Sequence, residues 1–204
     1  DNSFFRQTVE IIGKEKKPFY SFLITLSNHH PYDAYSAISD FDVTGVEGEL
    51  MQNYLKSVNE FDKAVREFLQ YLKDAGLYDN SIIVLYGDHE GITGNDIENL
   101  NNFLGIDKDD EFHQREYEKV PLIIHLPDEE LKGTISKTAG QIDIMPTVLN
   151  LLGVKPEYEF GSDLLNVENN LVVLRDGSYI DENYMYFRAT DHYYDKRTGE
   201  LVNN

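Results

Sequence analysis

The sequence predicts an α/β fold: a mostly parallel sheet flanked by helices, followed by a small C-terminal antiparallel α+β appendage. Three observations carry this reading. Short apolar runs at residues 18–26, 81–86 and 120–126 alternate with two stretches of helical periodicity, the order expected of an α/β domain. The runs are apolar on both faces, as in the interior strands of parallel sheets. From about residue 155 the pattern changes to short β-prone segments around turns, which divides the chain into 1–154 and 155–204.

In chain order, "PFYSFLITL" (18–26) follows a Lys-rich turn and is predicted to be a buried strand. It ends in the polar cluster "SNHHPY" (27–32). Residues 32–48 are acidic, turn-rich and without a clear period. A helix is then marked by Leu50, Tyr54, Val58, Phe61, Val65, Phe68 and Leu72, which recur at spacings of four and three and make one apolar stripe. Gly76 supplies its C-terminal stop. A stripe of this kind signals core packing and not a cofactor site.

After a short turn, "SIIVLY" (81–86) is predicted to be a central strand, and it stops abruptly at Gly87-Asp88-His89-Glu90-Gly91. The polar stretch 94–118 is expected to be loop with some helix. "VPLIIHL" (120–126) gives a further buried strand with Pro121 near its start, and "QIDIMPTVLNLLG" (141–153) reads as a capped helix closed by Gly153. In the tail, Asp176-Gly177 between two β-prone runs marks a hairpin.

Composition bounds the function. The 204 residues are 41% hydrophobic and include 14 Tyr and 11 Phe, enough for a true core. No run of about 18 apolar residues occurs, so no membrane-spanning helix is expected within the chain. No signal peptide is visible, and the start at Asp1-Asn2-Ser3 suggests a portion of something longer. The absence of cysteine removes disulfides, zinc-thiolate sites and thiol nucleophiles. With 37 acidic against 18 basic residues the formal charge is −19, which repels nucleic acid and argues against a DNA- or RNA-binding module. Most of that acid is read as a solvated surface, and action on an anionic lipid needs a bound cation or a locally positive pocket.

Gly87-Asp88-His89 is the sharpest chemical feature. Ligands of open α/β sheets bind beyond the carboxyl ends of the strands, where this triplet is predicted to sit. A carboxylate oxygen beside an imidazole nitrogen suits a divalent ion such as Mn2+ or Zn2+, and the glycines let the backbone turn both toward it. The plainer alternative is an Asp-His pair closing a surface turn, and two ligands alone do not complete a metal site. Ser27-Asn28-His29-His30-Pro31 lies at the end of another predicted strand and so potentially on the same edge; a His there suits a phosphate or a sugar hydroxyl, or else caps a turn. His113, His125 and His192 are read as structural or solvated.

These segments carry a resemblance. "LYDNSIIVLYGDHEGIT" is similar to the stretch of lipoteichoic acid synthases that ends in a metal-binding Gly-Asp-His, and "PFYSFLITLSNHHPY" resembles their Ser-Asn-His-x-Pro-Tyr segment. "GQIDIMPTVLNLLGV" is similar to a helix late in sulfatase-like domains, and "GSDLLN" with "VVLRDGSYI" resembles the family's C-terminal hairpin region. The resemblance runs from about residue 17 to residue 186. It implies the C-terminal part of an extracellular, metal-dependent phosphoglycerol transferase of the sulfatase/alkaline phosphatase superfamily. The implied home is the outer face of a Gram-positive cell membrane, reached through transmembrane segments upstream of this chain.

By that resemblance Asp88 and His89 match two ligands of a Mn2+-type ion (Mg2+ and Zn2+ being alternatives). His29 matches a histidine that contacts the glycerol phosphate group, and Thr93 falls where the family has a Ser near the same group. The implied reaction moves glycerol phosphate from the anionic headgroup of phosphatidylglycerol to a threonine nucleophile, then to a growing polyglycerol-phosphate chain. The nucleophile and a glutamate ligand are expected upstream of residue 1, so the chain is expected to be inactive alone. Glu90 replaces an aromatic residue of the family. A sulfatase, a phosphoethanolamine transferase or a non-catalytic acidic surface domain are the alternatives.

Overall fold

The computed structural model describes residues 1–106, 110–127 and 131–202. The chain is α/β and separates into two compact units, one of residues 1–109 with 117–131, the other of 110–116 with 132–204.

The first unit is built on two helices. α1 (Asn2–Ile12) buries Phe5, Thr8 and Val9, a 3–4 spacing that places them on one face, and the Phe5 ring stacks on Phe68 with centroids 4.5 Å apart. α2 (Glu49–Asp74) carries the predicted stripe except at Val58, which faces solvent, and Leu72, Leu77 and Val9 form a cluster with Phe68 and Ile83 packed around it. Its end is a Schellman cap. Gly76 adopts φ 63°, its N–H donates to the Lys73 carbonyl (3.0 Å), and the Leu77 N–H reaches back to Leu72 (2.9 Å). The apolar contact between Leu72 and Leu77 completes the motif.

A 3-10 turn (Tyr78–Asn80) leads to β1 (Ile83–Tyr86), which pairs with β2 (Leu122–His125) from Ile83 opposite His125 to Tyr86 opposite Leu122. This pair is antiparallel, where the apolar runs had pointed to a parallel one. The direction is set by where the chain returns after the long connection between the two strands, and Ile123, 58% exposed, shows that β2 is not covered on both faces as an interior parallel strand is. Exposure alternates along residues 19–26 as in an extended segment, but they pair with no strand among the described residues, which corrects the buried strand expected there. Alternate apolar side chains, from Tyr20 to Leu26, face solvent. Between β1 and β2 lie α3 (Ile97–Leu104) and α4 (Glu111–Tyr117), so 94–118 holds more helix than its polarity suggested; residues 107–109 of that stretch lie outside those described.

The second unit contains most of α4, α5 (Ile144–Leu151) and a four-stranded antiparallel sheet, the predicted appendage. Its strands run in the order β3 (Val172–Val173), β4 (Tyr179–Ile180), β5 (Tyr184–Phe187) and β6 (His192–Asp195). Asp176-Gly177 turns β3 into β4 as expected, with Gly177 at φ 88°. Met185, Phe187 and Tyr194 pack on Phe112 of α4, while Tyr179, Tyr186 and Tyr193 are cross-strand neighbours on the other face. A fully buried carboxylate, Asp143, organises the start of α5. It accepts the Gly140 N–H (2.8 Å) and the Asn170 amide (2.9 Å) on one oxygen and the Ser162 N–H (2.7 Å) on the other.

Candidate functional site

Two loops of the first unit carry the predicted site residues. One follows the extended segment and holds Asn28, His29 and Tyr32. The other leaves β1 and holds Asp88, His89 and, further on, Thr93. Gly87 begins the second loop because nothing larger fits: a Cβ there would stand 2.8 Å from Val120 Cβ. Its N–H donates to the Pro121 carbonyl (3.2 Å) and extends the β1–β2 pair by one bond.

The structure brings His29 and His89 together, with ring centroids 5.9 Å apart and planes at 87°. Each ring has its Nδ1 against a backbone carbonyl: His89 lies 2.7 Å from Glu90 O and His29 lies 2.9 Å from His30 O. A carbonyl only accepts, so Nδ1 is the donor in both rings, and in the neutral form of each ring Nε2 carries the lone pair. That is the tautomer a metal ligand or a phosphate-facing imidazole needs. His89 Nε2 lies 3.9 Å from Asp88 Oδ1. Two such atoms sharing one ion at about 2.0–2.2 Å each stand about 3.0–3.4 Å apart. The pair therefore fits a divalent ion after a closure of about 0.5–0.9 Å, within the freedom of side chains 53% and 78% exposed. Among the described residues no third His, Asp or Glu joins them in a cluster able to hold a metal ion, so these residues make part of a coordination sphere.

Thr93 is exposed at the head of the 3-10 turn Gly94–Asp96, in extended conformation and without a side-chain capping bond. Glu90 is half-buried between the two glycines of the second loop.

What the sequence pattern did not reveal is how the loops are held. Tyr32 is 3% exposed, sits in the left-handed region at φ 64°, and donates its hydroxyl to the Gly91 carbonyl. Its ring meets Tyr54 of α2 edge-on at 5.0 Å and packs with Met51 and Ile92. Burial, then the charges of Tyr54 and Glu90, push the Tyr32 hydroxyl above its ordinary value, and burial does the same to Tyr54. Both stay protonated donors at neutral pH. Ser57, fully buried, lies 2.6 Å from Asn28 Oδ1 and 2.9 Å from the Tyr54 carbonyl, its single proton serving one of them at a time. Gly91 lets Tyr54 come close, since a Cβ there would stand 2.6 Å from the Tyr54 ring. Met51, Tyr54 and Ser57 recur every three residues on α2. The available signal was Met51 and Ser57 flanking Tyr54 of the apolar stripe, three residues to either side.

A profile of the sulfatase family matches residues 1–154. The chain belongs to the sulfatase family. It is 37% identical to the lipoteichoic acid synthase-like protein YvgJ of Bacillus subtilis and 36% identical to lipoteichoic acid synthase 2 of the same organism. These matches cover 99% and 98% of this chain but 33% and 31% of the relatives. The chain thus spans about a third of the length of these curated relatives. Among solved structures it is similar to the lipoteichoic acid synthase LtaP of Listeria monocytogenes, with TM-score 0.79 and 30% identity over 99% of this chain and 53% of that one. A Vibrio parahaemolyticus protein of the alkaline phosphatase superfamily shares the fold at TM-score 0.65 and 18% identity. The chain is therefore lipoteichoic acid synthase-like, within a family of enzymes. No helix among the described residues is long and apolar enough to cross a membrane.

Proposed function

We propose that this chain supplies part of the active site of a phosphoglycerol transferase at the outer face of a Gram-positive cell membrane. The observation that carries the reading is the meeting of His29 and His89, ring centroids 5.9 Å apart, with Asp88 beside His89. It occurs in a chain matched from end to end by lipoteichoic acid synthases. Asp88 Oδ1 and His89 Nε2 would hold a divalent ion, Mn2+ by the family resemblance. When bound, such an ion polarises phosphoryl oxygens and offsets charge on an anionic headgroup, which this acidic chain would otherwise repel.

His29 Nε2 accepts a hydrogen bond from a glycerol hydroxyl or, once protonated, donates one to a phosphate oxygen. Thr93 offers a hydroxyl to the same group. The donor is the headgroup of phosphatidylglycerol and the acceptor a polyglycerol-phosphate chain. Neither the nucleophile nor a glutamate ligand is assigned within these residues, so the 204-residue chain alone is expected to be silent.

The test places these residues in the matching third of B. subtilis lipoteichoic acid synthase 2 and measures headgroup release from phosphatidylglycerol with added Mn2+. The chimera should turn over, and His89→Ala or Asp88→Asn within it should lower activity by about 100-fold or more, with weaker metal binding. Both side chains are exposed, so folding stability should change by no more than about 0.5 kcal/mol. Turnover by the 204 residues alone would place a nucleophile among them and overturn the assignment.

A further inference from the structure

Tyr32 joins three parts of the first unit that are distant in sequence: the loop of His29, the loop of His89, and α2. Its hydroxyl donates to Gly91 O, two residues beyond His89, while its own backbone lies three residues beyond His29. Its ring is locked by Tyr54, Met51 and Ile92. The backbone at Tyr32 is in the left-handed region, which a bulky residue adopts only when its surroundings over-determine it. The loop also closes on itself through the Tyr32 N–H, which donates to the His29 carbonyl at 2.8 Å. Any movement of Tyr32 is therefore passed directly to His29.

We infer that Tyr32 is the positioning residue that sets His29 opposite His89, acting through its hydroxyl bond to Gly91 and its backbone bond to His29. This rests on the reading of Asp88 and His89 as metal ligands and of His29 as a substrate contact, and it names the residue that fixes their separation. The role differs from core packing because it depends on the hydroxyl: Phe preserves the ring and its apolar contacts while removing the tie between the loops.

The experiment is NMR on the 204-residue chain with labelled histidine, in the original sequence, in Tyr32→Phe and in Leu72→Ala. Leu72 lies in a separate cluster on α2, so Leu72→Ala destabilises the unit without touching either loop. A cross-peak between the ring protons of His29 and His89 is expected in the original chain and in Leu72→Ala, and its loss in Tyr32→Phe. Retention of the cross-peak in Tyr32→Phe would overturn the proposal, as would its loss in Leu72→Ala, which would make it a readout of general stability. Absence of the cross-peak in the original chain would overturn the juxtaposition itself. If His89→Ala leaves the activity of the chimera described above unchanged, the metal reading fails, while the cross-peaks still decide the role of Tyr32.

Discussion

Replacing Asp143 by Asn tests whether a buried anion organises the second unit. The side chain is 0% exposed, and three N–H donors converge on it, two on Oδ2 and one on Oδ1. An amide has the same shape but only one acceptor. Its better orientation keeps the oxygen toward Gly140 and Asn170 and turns its NH2 onto the Ser162 N–H. One hydrogen bond to a charged acceptor is then replaced by two donors facing each other, a loss of about 1.5–3 kcal/mol. The two remaining bonds become neutral, roughly halving their strength, for about 1–2 kcal/mol more. The expected loss is about 3–5 kcal/mol. With an m-value of about 2 kcal/mol/M in urea, that lowers the unfolding midpoint by about 2 M, read from amide signals of residues 132–202. Asp143→Ala should cost still more, since three donors lose their acceptor at about 1–3 kcal/mol each. A loss below about 1 kcal/mol in Asp143→Asn would refute the reasoning, because no isosteric amide satisfies three donors with one oxygen.

Two other outcomes are expected in the same unit. Gly161→Ala should destabilise by about 2–4 kcal/mol in the same urea titration, because a Cβ there would stand 2.4 Å from Ile142 O and 2.8 Å from Asp143 Oδ1, at φ +86°. In an alkaline titration followed at 295 nm, Tyr179 should ionise late. Its hydrogen bond to Tyr193, then burial and neighbouring negative charge, push it up to about 12. A pKa raised on folding favours the folded state fully below the unfolded value of about 10, and that contribution is lost as pH rises from there through about 12. Tyr179→Phe should remove a late component of the 295 nm signal; an unchanged curve would contradict the assignment.

The elements legible in the sequence were those whose cause is local. The stripe from Leu50 to Leu72, the glycine stops at Gly76 and Gly153 and the Asp176-Gly177 turn each depend on a few neighbouring residues, and each lies where its pattern indicated. α1 has a local cause of the same kind, since Phe5, Val9 and Ile12 follow helical spacing. Strand pairing was not legible. The run 81–86 states that a strand forms, while its antiparallel partner is decided by where 122–125 returns after a connection of more than thirty residues. At the site, the sequence offered His29, Asp88, His89 and Thr93, and the structure places the two histidines side by side. It could not offer Tyr32, Tyr54 and Ser57 as a group, because their relation exists only once two loops have folded onto one helix.

The spacing of Met51, Tyr54 and Ser57 has a consequence for how such proteins diverge. Both loops hang from a stretch of α2 under two turns long, about 9 Å of helix axis. Residues 27–32, 51–57 and 87–93 therefore form a cassette, portable between relatives as a set and incompatible in pieces. A swap of the His29 loop alone would meet a foreign helix face, whereas a swap of all three should carry its own geometry into the new host. Drift in this family should leave these three short stretches matched to one another even where the surface around them is rewritten.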